Sequence, residues 1–400
     1  MWKVVALLVA IFALGQFHRA SGAVFSPILI DERGLGSSAI GAMVAAMFFA
    51  NIVGQTPFGS AMDRFGPARA LGLALLCCAV GSVLFAIAES YELLLAARIL
   101  IGVGLAASGA ANNIIIAQRF SARDFGYASG LVVTLGSLGG IMGSYPLSVA
   151  LGAFGWEVVF IAIGLATCGL AAVVFLTAPG PPDRETKTNG RTVSYLSLIK
   201  DAEIRRILTL SFVAYAPITA IAGLWGGPYF QSVHGLSADR AGQILLMMFV
   251  ATMSAGYVFG RLDRSRIRRS RIIFGAVAIS AGAPAALALQ SSASPVMAAG
   301  LLLAMVFFNQ FYVPLTAHLR RAAPIEALGR ASALFALVAV LAIPLMQATF
   351  GFVLEAAVAA GLAEKEGYRI VFAIIAATIA ICGLIYAGSN NIDEEQADAG

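Results

Sequence analysis

Charge is what this 400-residue chain has little of. Only 12% of its residues are Asp, Glu, Lys or Arg, about half the share in an ordinary soluble domain. With 60% hydrophobic residues and a mean hydropathy of +0.87, a soluble globular protein is excluded. The alternating apolar–polar pattern of a membrane β-barrel is missing as well. The apolar runs are continuous, so the spanning elements are helices. The four cysteines, Cys77, Cys78, Cys168 and Cys382, all fall inside apolar runs with no metal-ligand spacing. They read as reduced, small hydrophobic residues, and no metal site is expected. No nucleotide-binding loop occurs, so neither an enzyme nor a cofactor is expected. A signal peptide is disfavoured because His18 and Arg19 would interrupt its apolar core.

What is present is a series of twelve apolar stretches, each near the ~20 residues a bilayer requires. They are expected at 4–29, 39–61, 70–88, 93–117, 126–150, 157–177, 206–230, 240–260, 272–290, 296–317, 330–354 and 369–388. The longest polar segment separates the sixth from the seventh. The expected organisation is a six-helix half over 1–177, a linker over 178–205, a second half over 206–389 and an acidic tail over 390–400. Of the 26 Lys and Arg, twenty lie at the N-terminus and in the even-numbered connections. Four, Arg33, Arg240, Lys365 and Arg369, lie on the other side. Positive charge accumulates in cytoplasmic loops, so both termini are expected inside an inner, plasma-type membrane. The pI near 9.1 is a topology signal on this distribution, and no nucleic-acid partner is expected.

Two arginines remain, Arg19 and Arg98, and both sit inside apolar stretches. None of the 21 Asp and Glu lies deep in any stretch.

Between the second and third stretches stands Gly59-Ser-Ala-Met-Asp63-Arg64-Phe-Gly66-Pro-Ala-Arg69. It resembles the G-x-x-x-D-R-x-G-x-x-R signature of the major facilitator superfamily, in the loop where that family carries it. Gly260-Arg261-Leu-Asp263-Arg264 is a degenerate copy in the second half, with Phe259 and Arg266 where glycines would stand. Arg98-Ile-Leu-Ile-Gly102-Val-Gly104 resembles a further family motif in the fourth helix. The resemblance covers essentially the whole chain. It implies an all-α fold of two six-helix bundles, a monomer, and secondary transport by alternating access around a midplane site. Gly59 would let helices approach, Gly66 would allow a tight turn, and Asp63 with Arg64 and Arg69 would form a conformational latch. Asp263 and Arg264 would repeat that latch. Gly136, Gly139, Gly140 and Gly143 give G-x-x-x-G spacing in the fifth helix, which points to close helix packing. The Gly-Pro pair of proton-driven drug antiporters is absent there.

Gln16 and Arg19 share a face about 18–24 Å along the first helix, near mid-bilayer. A buried arginine must find a partner, and three stay open: backbone and amide groups, an anionic substrate, or a neighbouring helix. Arginine's planar fork suits carboxylate or phosphate. Arg98 is either a second substrate contact or a clamp onto backbone carbonyls of a neighbouring helix. His18 could carry a coupled proton or bond across helices as a neutral ring. His234 and His318 read as ordinary helix-end residues. Asn112, Tyr215, Trp225, Tyr229, Asn309, Gln310, Tyr312 and Gln347 complete the candidate substrate lining, and Gly226-Gly227-Pro228 should weaken the end of the seventh helix. The expected activity is uptake or exchange of a small organic anion, with a coupling proton. Efflux of drugs or other amphiphiles is the alternative within transport. A non-transporting receptor or assembly protein on the same fold is the alternative from another class.

Overall fold

The computed structural model describes residues 2–177, 195–263, 265, 267–290, 293–324 and 327–389. Among them there is no strand. Eleven helices are long and apolar enough to cross a membrane, and a pair bent by 44° at residues 142–145 makes a twelfth span. In chain order, α1 covers residues 2–33, α2 Ser37–Phe65, α3 Pro67–Ile87, α4 Tyr91–Arg119, α5 residues 122–154 and α6 Trp156–Thr177. Then follow α7 Ala202–Val233, α8 Ala238–Asp263, α9 Arg269–Leu289, α10 Pro295–Ala322, α11 Leu328–Ala359 and α12 Glu364–Tyr386. Every expected stretch is found, mostly longer than its apolar run. Helices continue past the hydrocarbon until a cap or glycine stops them. Ser90, Asp201 and Ser294 cap α4, α7 and α10 by accepting from the backbone N–H three residues on. Gly66 and Gly155 take φ of +88° and +81° at the turns before α3 and α6, a backbone conformation costly for any other residue.

Several spans are interrupted, and hydropathy alone could not show it. In α1, Trp2–Ala20 ends before Ser21 and Gly22–Arg33 resumes. A 3-10 turn at Asn309–Phe311 divides α10 into Pro295–Phe308 and Tyr312–Ala322. In α7, π-helical turns at Ile221–Trp225 and Tyr229–Val233 flank Gly226–Pro228. That is the weakened end the glycines and proline predicted, and π-turns often mark functional sites.

The chain forms two compact units. The first comprises Met1–Thr186 with Gly223–Pro228 and Ser237–Leu246; the second comprises Lys187–Ala222, Tyr229–Leu236 and Met247–Gly400. Within the first, α3 packs against α4 and α6, α2 against α4, and α1 against α5. A bare backbone makes these approaches possible. A Cβ on Gly139 would lie 1.8 Å from the Ala13 carbonyl oxygen, one on Gly102 2.1 Å from that of Met47, and one on Gly104 2.4 Å from the Cys78 nitrogen. Gly136, Gly139 and Gly143 of α5 and the two glycines after Arg98 are therefore packing residues. Gly223–Pro228 belongs to this unit for the same reason: a Cβ on Gly227 would fall 1.7 Å from the Ala23 carbonyl oxygen. Phe25, Phe85, Trp156 and Phe160 form an aromatic cluster here, and Trp156 Nε1 donates to the Phe85 carbonyl at 3.1 Å. In the second unit α7 packs against α11, and α9 against α12.

Candidate functional site

The site is built from α1 outward. His18 and Arg19 occupy the last turn of Trp2–Ala20, and Gln16 lies just before it. Arg19 Nη1 donates to Gln16 Oε1 at 3.1 Å, as residues three apart on one helical face can. Arg19 is half-buried and, among the described residues, has no carboxylate partner. The acidic residues of the described helices lie near helix ends, so no carboxylate is available at this depth.

His18 and Arg98 form a second, fully buried group. Arg98 Nη2 donates to the His18 carbonyl at 3.4 Å, and Ser21 Oγ donates to the same oxygen at 3.2 Å. The guanidinium lies 5.1 Å and 5.5 Å from the ring centroids of Phe25 and Phe85, within cation–π range. Its contacts are those of a clamp onto the α1 backbone. Arg98 Nε and Nη1 have no hydrogen-bond partner, and neither does His18 Nδ1. His18 Nε2 sits 3.5 Å from Ser82 Oγ.

The other candidates sort by whether their polar atoms are already used. Both polar atoms of Asn309 are engaged: it accepts from Ser280 Oγ at 2.6 Å and donates to the Val213 carbonyl at 2.9 Å, tying α10 to α9 and α7. Asn112 and Gln347 are also buried, yet both polar atoms of each amide lack a partner, as does Trp225 Nε1. Buried polar groups are nearly always paired, so each exception invites an explanation. Tyr215, Gln310 and Tyr312 are half-buried, and Tyr312 packs on Phe335. Tyr229 is buried in an aromatic group with Tyr368, Phe372 and His234.

The latch motif is placed less evenly. Asp63, Arg64 and Arg69 are exposed, and among the described residues Asp63 has no ion pair. A Cβ on Gly59 would meet nothing within 4 Å, so the expected close approach there is absent. Asp263 is paired bidentately with Arg269, at 2.6 and 3.2 Å; Arg264 lies outside the described residues. His234 lies in the turn after α7, as expected. His318 does not behave as a helix-end residue. It is 1% exposed, with Nδ1 2.8 Å from Tyr386 Oη and Nε2 3.1 Å from Glu203 Oε1. Burial on three sides by helices distant in sequence left no local signal of this.

Twelve apolar spans, the bent pair counted as one, define a multi-pass membrane protein. The chain belongs to the Major Facilitator Superfamily, whose family model matches residues 5–346. It is 23% identical over 301 residues to the "Probable galactarate/D-glucarate transporter GudP" of Bacillus subtilis (strain 168), covering 68% of this chain and 66% of that one. It is 24% identical over 195 residues to the "Probable sulfoacetate transporter SauU" of Cupriavidus necator, covering 48% and 45%. The matches thus span less than two thirds of these relatives' lengths. Among solved structures, a bacterial homologue of the human lysosomal transporter Spinster, inward-facing and occupied, superposes with a TM-score of 0.79 at 16% identity, covering 98% and 97% of the two chains.

Proposed function

We propose that this protein moves a small organic anion across the membrane by alternating access, with Arg19 as the anion-binding group and a proton as the coupling ion. The observation that carries it is Arg19 itself, a half-buried cation within a membrane-spanning segment that donates to the neutral amide of Gln16. A charge in that position is costly unless compensated, and among the described residues no carboxylate lies at that depth. A substrate carboxylate or sulfonate meets the guanidinium fork bidentately. The relatives named for galactarate/D-glucarate and for sulfoacetate support an acid substrate. Asn112 and Trp225, in the same unit as Arg19, hold unused hydrogen-bonding capacity that suits hydroxyl or carbonyl groups of such a molecule.

The coupling follows from charge. A proton on His18 would add a second cation beside buried Arg98, which is unfavourable alone. An anion drawn to Arg19, the next residue, offsets that charge. Proton and anion therefore bind better together than apart, and binding linkage of this kind is reciprocal. Both termini face the cytoplasm in this scheme, in an inner, plasma-type membrane. The protein works as a monomer, and the six-helix halves 1–177 and 206–389 move about the 178–205 linker. Asp63, Arg64 and Arg69, and separately Asp263, act as latches.

Uptake of labelled D-glucarate or sulfoacetate into proteoliposomes, with and without an imposed pH gradient, tests this. Arg19→Gln should abolish uptake and Arg19→Lys should leave a small fraction. His18→Gln should keep anion exchange while losing acceleration by the gradient. Unaltered uptake by Arg19→Gln would sink the site assignment.

A further inference from the structure

We infer that the second unit carries its own protonation site, built from His318, Glu203 and Tyr386, which ties the packing of one arm of α10 to pH. Three helices converge here: Glu203 in the first turn of α7, His318 in α10 and Tyr386 at the end of α12. The imidazole is 1% exposed, with Glu203 Oε1 3.1 Å from Nε2 and Tyr386 Oη 2.8 Å from Nδ1. Glu203 is in turn 3.6 Å from Arg206 through its other oxygen.

This arrangement suits both protonation states without moving a heavy atom. In the neutral ring Nδ1 accepts from the Tyr386 hydroxyl, while Nε2 lies 3.1 Å from Glu203 Oε1. In the imidazolium Nδ1 donates to the Tyr386 oxygen, whose hydroxyl proton turns away, and Nε2 stands in ion-pair range of the Glu203 carboxylate. A hydroxyl serves as donor or acceptor by rotation, which is what such a switch requires. A buried histidine locked to a backbone carbonyl on one side would lack that freedom.

The elements packed against this arm carry Glu203, Arg205 and Arg206 on α7, Arg269 and Arg271 on α9, and Arg330 and Glu355 on α11, with Arg320 and Arg321 on the arm itself. Arg269 is already held by Asp263. Glu203 is a carboxylate in contact with the ring. The arm is short, Tyr312–Ala322, and begins at the 3-10 turn Asn309–Phe311. A 3-10 stretch within a helix often marks a hinge. His318 thus anchors the far end of a lever whose near end carries Gln310 and Tyr312. A proton at His318 converts a neutral contact with Glu203 into an ion pair and holds the arm more tightly against α7 and α12.

The chain has three histidines, so the site can be followed directly by nitrogen-15 NMR of histidine-labelled protein in detergent. The His318 signal is identified as the one lost in His318→Asn, or, should that variant not fold, as the one retained in both His18→Asn and His234→Asn. It should titrate, with both ring nitrogens protonated at the acid end. In Glu203→Gln its midpoint should fall by at least one pH unit, a tenfold loss of proton affinity. Amide exchange of Tyr312–Ala322, corrected for intrinsic rate, should slow as the site protonates in the wild type and not in Glu203→Gln. A His318 signal that does not titrate, a midpoint indifferent to Glu203→Gln, or arm exchange indifferent to protonation would each overturn the proposal. No substrate enters these measurements, so failure of the Arg19 assignment leaves them unaffected, and the reverse holds too.

Discussion

Arg19 and Arg98 are both intramembrane arginines, yet their surroundings assign them different work. Arg98 is closed in by Phe25 and Phe85 and touches the His18 backbone, so its side-chain volume matters as much as its charge. Arg98→Ala should therefore destabilise the protein by about 2–4 kcal/mol through the cavity it leaves. Arg98→Met, which keeps the volume and removes a charge with two unpartnered nitrogens, should cost little or even stabilise. Thermal unfolding in detergent separates the two, and retained uptake by Arg98→Met would fix the clamp role. Asn309 is a residue of the same kind. Asn309→Ala would strand the Ser280 hydroxyl and the Val213 carbonyl, a loss of about 1–3 kcal/mol. His234 gives a pH-dependent counterpart outside the spans. Burial lowers its imidazole from the ordinary 6.5, so the folded state binds this proton less readily than the unfolded chain. Stability from this source is complete above that ordinary value and is lost as pH falls below it toward the lowered one. Wild-type unfolding should therefore be somewhat more acid-sensitive than that of His234→Gln, and the effect should be small because the ring is partly exposed.

At the scale of elements, backbone proximity decides which glycines matter. On α5, Gly139 faces the α1 backbone, whereas a Cβ on Gly130 would meet nothing within 4 Å. Gly139→Ala should force α1 and α5 apart and lower thermal stability severely. Gly130→Ala should leave packing untouched and gain up to about 1 kcal/mol from helix propensity. Equal behaviour of the pair would contradict the packing described. The contrast also shows what was legible in the sequence. The twelve spans and the glycine spacing could be read directly, because burial in lipid demands long apolar runs and close helices demand small residues. The pairing of Gln16 with Arg19 was legible because helical periodicity fixes it locally. The breaks in α1 and α10 were not, since Ser21 and Asn309–Phe311 lie within runs whose hydropathy barely changes. The environment of His318 was not legible either. Glu203 and Tyr386 stand 115 positions before it and 68 after it, and nothing local in the sequence links positions so far apart.

For the whole molecule, the strongest sequence argument is the uneven placement of basic residues, and it carries a topology that can be checked directly. The connection between α3 and α4 contains Glu89 and no Lys or Arg, whereas that between α4 and α5 follows Arg119. Positive residues resist translocation, so the first should lie outside and the second inside. The native cysteines are all free and sit within spans, so each can be replaced by serine or alanine to give a silent background. In that background Glu89→Cys, at an exposed position, should react with a membrane-impermeant maleimide in intact cells. Ser121→Cys, exposed at the start of α5, should react only after permeabilisation. The opposite pattern would invert the orientation. It would also move the His318 site to the outer face, where it would respond to external rather than internal pH, so this labelling decides which compartment's pH that site reports.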